Sequence, residues 1–91
     1  MVLVQYVVTV NDKERFKKTY DAFADRMKEE GIQDPKIYWD ENEPNRITMM
    51  ERWESHDRAM EVSDKYGEEF QAQAGTEGLD WDTYIWHEWD D

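Results

Sequence analysis

The chain has 91 residues, 23 of them acidic and 11 basic, for a formal charge of −12 at pH 7. That charge excludes nucleic acids and anionic membranes as partners, because both need a basic footprint. The length gives one domain, residues 1–91; the absence of cysteine excludes disulfides, thiol catalysis and Cys-ligated zinc; and no stretch approaches the ~20 apolar residues of a membrane span.

Val, Ile, Leu and Phe together number only 15, which with so large a charge is the composition of a disordered chain. Five Trp, five Tyr and five Met argue the other way, since these residues bury large areas. The order of the residues decides between the two. Val2–Val10 is rich in β-branched residues and reads as a strand, with Gln5 as its one strongly polar interruption. Near-continuous apolarity makes it a central strand. The run has no basic flank and no small-residue cleavage site, so it is not a signal peptide and a soluble cytoplasmic protein is expected.

Asn11 to Glu14 fits a capping box, with Asn11 as the N-cap. Phe16, Tyr20, Phe23 and Met27 then form one apolar stripe, and Gly31 closes the helix. Pro35–Asp40 reads as a strand, with Ile37 and Trp39 on one face and Tyr38 on the other. Residues 41–45 (ENEPN) are a turn. Arg46–Glu54 is the next strand. Glu51 falls between Met49 and Trp53 on an otherwise apolar face, so it needs a partner or water. Ser55 is a good N-cap for a second helix carrying Ala59, Val62, Tyr66 and Phe70. Gly67 inside this stripe predicts a kink or restart, with a helix over 56–66 and a second piece over 68–74. Leu79–Trp89 is the final strand. Trp81, Thr83, Ile85, His87 and Trp89 share one face; Asp82, Tyr84, Trp86 and Glu88 share the other.

The order β-α-β-β-α-β is that of a ferredoxin-like α+β fold, an antiparallel four-stranded sheet with both helices on one face. Aromatic residues on both strand faces cannot leave the other face in water, so a homodimer joined through its sheets is expected. The acidic residues are interleaved with apolar ones and densest at the C-terminus (Asp80, Asp82, Glu88, Asp90, Asp91), which reads as a solvated acidic surface. Such a surface suits a halophilic source, where molar salt screens self-repulsion; a domain for a basic partner is the rival reading.

Residues 47–55 (ITMMERWES), followed by a helix with Ala59 and the segment Gly67–Phe70, resemble the antibiotic biosynthesis monooxygenase-like family of the dimeric α+β barrel superfamily. The sharpest motif is Glu51-x-Trp53-x-Ser55 at a strand-to-helix junction. The resemblance implies a sheet-paired homodimer and cofactor-independent oxidation of a quinol or aromatic small molecule. Many members carry a His in the second helix where this chain has Val62, and haem-degrading members have an Asn in the first strand where this chain has Gln5. Haem degradation is therefore not expected, and no cofactor or metal is. A non-enzymatic homodimer that binds a small molecule or serves a stress role is the alternative.

Two or three of the five Trp would line a flat pocket between sheet and helices, suited to a planar aromatic ligand; packing accounts for the others. Glu51 is the candidate base and Trp53 its catalytic companion. Glu51 paired with a basic side chain such as Arg52 from a neighbouring strand or subunit is the competing role. Gln5, Trp39, His56, Tyr66 and Trp86 are the candidate substrate-binding residues. His56 also reads as a solvated helix-start residue, Tyr66 as core and His87 as a packed or interface residue. No spacing of His and carboxylates suggests a metal site.

Overall fold

A computed structural model describes residues 1–89. Asp90 and Asp91, part of the C-terminal acidic cluster, lie outside the described residues. The elements are β1 (Val2–Thr9), α1 (Lys13–Glu30), β2 (Gln33–Trp39), β3 (Arg46–Trp53), α2 (His56–Ala74) and β4 (Trp81–His87). The strands form one antiparallel sheet in the order β2-β3-β1-β4. This is the expected ferredoxin-like α+β architecture, with the apolar β1 at its centre.

Strand pairing assigns the faces. Val4 opposes Glu51 and Ile85, and Tyr6 opposes Met49 and Thr83, on the side that the helices cover. Gln5 opposes Met50 and Tyr84, and Leu3 opposes Arg52 and Trp86, on the side without helices. A strand's side chains alternate between faces, so neighbours such as Gln5 and Tyr6 serve different surfaces.

The helix-covered face carries two buried clusters. One holds Val8, Val10, Phe16, Ile47, Met49 and Ala74; the other holds Val2, Val4, Trp53, Ala59 and Val62. Tyr6 packs against both. Aromatic edges knit the first cluster together: Phe70 stands edge-on to Phe16 at 5.6 Å and to Phe23 at 5.2 Å.

Three local expectations are corrected. The N-cap of α1 is Asp12, whose carboxylate accepts from the Arg15 backbone N–H at 3.0 Å. The reason lies upstream: Val10 N–H still bonds to Asn45 C=O at 2.8 Å, so the chain turns one residue later than Asn11 would allow. Glu14 is then one residue short of the position that would close a capping box. Second, α2 runs unbroken from His56 to Ala74 through Gly67. Phe70 and Ala74 beyond the glycine are packed in the core, and that packing outweighs a propensity cost of about 1 kcal/mol. Third, strand limits move: β2 begins at Gln33, with a register irregularity before Lys36 and Asp34 at φ 47°, and β4 stops at His87. The expected ends hold elsewhere. Gly31 closes α1 at φ 107°, and Ser55 caps α2 by accepting from Arg58 N–H at 3.1 Å.

Candidate functional site

The two core clusters do not close on one another. Between the sheet and the helices lies a cavity of about 710 Å³, within the ~300–1,000 Å³ range of small-molecule sites. Its sheet wall is made by Tyr6, Met49, Glu51, Trp53, Trp81 and Thr83. Its helix wall includes Tyr20, Phe23 and Met27 from α1, and Val62, Ser63, Tyr66 and Phe70 from α2. Gly67 also lines it, and a Cβ there would meet no atom within 4 Å.

Glu51 is the polar centre of this apolar enclosure. The Trp53 indole N–H, two residues along the same face, donates to its carboxylate. Burial pushes the Glu51 carboxyl up from 4.5 to about 7, with the Trp53 hydrogen bond opposing the shift. Arg52 of the same chain is not its partner, because it points to the opposite face and stands 3.7 Å from Asp34. Among the described residues no ion pair reaches Glu51.

Three phenols line the cavity: Tyr6, Tyr20 and Tyr66. Burial pushes Tyr6 up to about 12, reinforced by the charge of Glu51 and opposed by a hydrogen bond with Ser63. Burial and then Glu51 also raise Tyr20. Trp81 stands edge-on to Tyr6 at 6.3 Å, and its buried indole N–H has no partner among the described residues.

Of the seven expected site residues, Glu51, Trp53 and Tyr66 line the cavity. Gln5 and Trp86 lie on the helix-free face, where the Trp86 N–H donates to Gln5 Oε1 at 3.4 Å. Trp39 is exposed at the end of β2, with Lys13 Nζ 3.8 Å from its ring centre. His56 is exposed at the start of α2 beside Asp57 at 3.2 Å. Tyr6, Tyr20 and Ser63 were not singled out. Tyr6 was findable: it shares strand parity with Val4 and Val8, the core face. Tyr20 was findable too, as a member of the α1 stripe. Ser63 had no signal, since only the packing of α2 on the sheet brings it to Tyr6. Among the described residues no group of three or more His and carboxylate side chains converges as a metal site would require. No described helix is long and apolar enough to cross a membrane.

No protein-family model matches this chain, and no curated protein does. Solved structures do match its fold. A Nitrosomonas europaea protein proposed to be an antibiotic biosynthesis monooxygenase superposes with a TM-score of 0.77 at 13% identity, covering 97% of this chain and 98% of that one. A conserved protein from Methanosarcina mazei Go1 gives 0.76 at 18% identity, covering 96% and 91%. A mutant of SnoaB, a cofactor-independent oxygenase from Streptomyces nogalater, gives 0.74 at 12% identity, covering 99% and 93%. At such identities the likeness is one of fold, over nearly the whole of each chain.

Proposed function

We propose that this chain is a distant member of the antibiotic biosynthesis monooxygenase-like family and oxidises an electron-rich phenol or quinol with molecular oxygen, without a cofactor. The observation that carries this reading is a half-buried carboxyl, Glu51, desolvated at the wall of a cavity large enough for a ring system. The fold it shares with SnoaB and the Nitrosomonas europaea protein supports it.

The ionised Glu51 takes the phenolic proton of the substrate. The resulting phenolate passes one electron to oxygen, and the two radicals combine as a hydroperoxide on a ring carbon. Loss of that carbon's proton with departure of hydroxide leaves a quinone. Phenol and oxygen thus become quinone and water, and the proton held by Glu51 ends in the water. Tyr6 keeps its proton at any working pH, so it is a donor to the developing oxyanion. One group is moved to about 7 and its neighbour to about 12, which divides the base role from the donor role. Trp53 holds the carboxylate by its N–H, and Tyr66 forms part of the ring-binding wall.

The working form is a cytoplasmic homodimer joined through the helix-free face. Tyr38, Tyr84 and Trp86 are about half exposed there beside Leu3, Val7 and Met50, a patch that a second sheet would cover. The charge of −12 suits this dimer to high salt. Melting curves should therefore rise between low and multimolar KCl; an unchanged midpoint removes the halophilic element.

The decisive experiment is oxygen consumption with a panel of naphthols and hydroquinones, comparing wild type with Glu51→Gln. Wild-type turnover should rise with pH through about 7 as Glu51 ionises, and the variant should lose it. Equal inertness of the two proteins removes the enzyme reading. The second reading is a non-enzymatic homodimer that binds a small molecule. It is favoured by Val62, an inert, buried side chain where many family members have a His. Saturable binding of an aromatic ligand with no oxygen uptake would establish it.

A further inference from the structure

The cavity is unbalanced in charge. Among its described lining residues Asp25, Asp34 and Glu51 are acidic, and Lys28 is the one cation. Asp25, Lys28 and Asp34 are exposed, so they belong to the rim, whereas Glu51 lies within. Among the other cations nearby, Arg52 pairs with the rim residue Asp34 at 3.7 Å, and three on the helices are engaged in pairs of their own. Arg26 lies 4.0 Å from the Phe23 ring centre and pairs with Glu69 at 2.8 Å. Arg58 pairs with Glu61 at 3.2 Å, and Lys65 pairs with Glu30 at 3.0 Å. Lys28 therefore stands at the rim, and within the cavity no described cation pairs with Glu51.

We infer that Glu51 is also the specificity-determining residue of this cavity, admitting neutral planar phenols and rejecting those that carry a permanently ionised ring substituent such as a sulfonate. This rests on the reading that the cavity is the substrate site. The physical reason is local. Two negative charges side by side against a mostly apolar wall repel more strongly than in bulk solvent, enough to weaken binding by at least about tenfold. The charge of the whole molecule does not produce the same selection. At ~0.15 M salt, surface charges more than ~8 Å away are largely screened. Loss of Glu51 would also change the total of −12 by only one.

The test is calorimetric binding at pH 8 and physiological ionic strength, with a naphthol, its ring sulfonate and the matching neutral sulfonamide. The sulfonamide has the bulk of the sulfonate without its charge, and its binding to Glu51→Gln reports that the variant is folded. Wild type should bind the sulfonate at least about tenfold more weakly than the sulfonamide. In Glu51→Gln the gap should close to less than about threefold, through tighter sulfonate binding. A gap that persists in Glu51→Gln, or no gap in wild type, overturns the inference. Failure of all three probes to bind wild type overturns it together with the substrate-site reading. Discrimination without oxygen uptake upholds the filter and removes only the oxidation chemistry.

Discussion

The two faces of this one sheet are built from alternate residues of the same strands, yet they have opposite character. On the helix-covered face Val4, Tyr6, Met49, Glu51 and Trp53 are enclosed, and a carboxyl there is driven to about 7. On the other face polar groups find partners at the surface. Gln5 Nε2 donates to Thr48 Oγ1 at 3.3 Å, Thr48 Oγ1 donates to Tyr6 C=O at 3.0 Å, and Tyr84 stacks on Trp86 at 6.3 Å between ring centres. The difference teaches that chemical potential here comes from enclosure and not from residue type. Asp40 at the surface is held below its ordinary range, chiefly by a backbone hydrogen bond from Asn42, whereas Glu51 within is raised by desolvation.

The sharpest way to break the comparison is to neutralise the enclosed carboxyl. Glu51→Gln should lower oxygen consumption by ~10²–10⁴-fold, the usual worth of a positioned base, while retaining the fold by circular dichroism. The same substitution tests the energetics of enclosure. Because the folded carboxyl is raised from 4.5 to about 7, the folded state holds its proton more tightly than the unfolded chain. This costs nothing below pH 4.5, grows between 4.5 and about 7, and is complete above that. Glu51→Gln should therefore melt higher than wild type at pH 8, by ~2–3 kcal/mol of stability, and equally at pH 4. A constant difference across pH would show that the shift is not felt by the folded state.

The open face is tested by Trp86→Asp. Two copies of a carboxylate placed in a sheet-to-sheet contact should weaken the dimer by at least about a hundredfold, seen by light scattering as monomer at micromolar concentration. A protein that is monomeric before the substitution would leave that face without its proposed cover. The smallest effect is expected at the junction of helix and cavity. Gly67→Ala should stabilise the protein by ~0.5–1 kcal/mol in chemical denaturation, since the position is helical and a methyl group meets no neighbour. A loss of stability would mean that α2 needs the glycine after all.

Much of the fold was legible because local chemistry marks local boundaries. Ser55 and Gly31 terminate their helices as their types dictate, and the parity of Val2, Val4 and Val8 marks the buried face. Legibility failed where a distant contact outweighs a local preference, as at Gly67, and where strand pairing displaced a cap from Asn11 to Asp12. For the site, Glu51 and Trp53 stood out as a charge and an indole on one apolar strand face. Gln5 and Trp86 stood out equally by type, but one residue of register sends Gln5 to the far side of the sheet.

The sequence by itself determined the element order, the acidic surface and the charged residue on an apolar face, since these follow from composition, period and capping. Only the tertiary structure decided that Tyr6, Tyr20, Ser63 and Glu51 meet at one cavity. Their convergence depends on how two helices lie across a twisted sheet, and no short-range pattern encodes that distance. Enclosure is a property of the whole packed layer, and so therefore is the raised carboxyl at its centre.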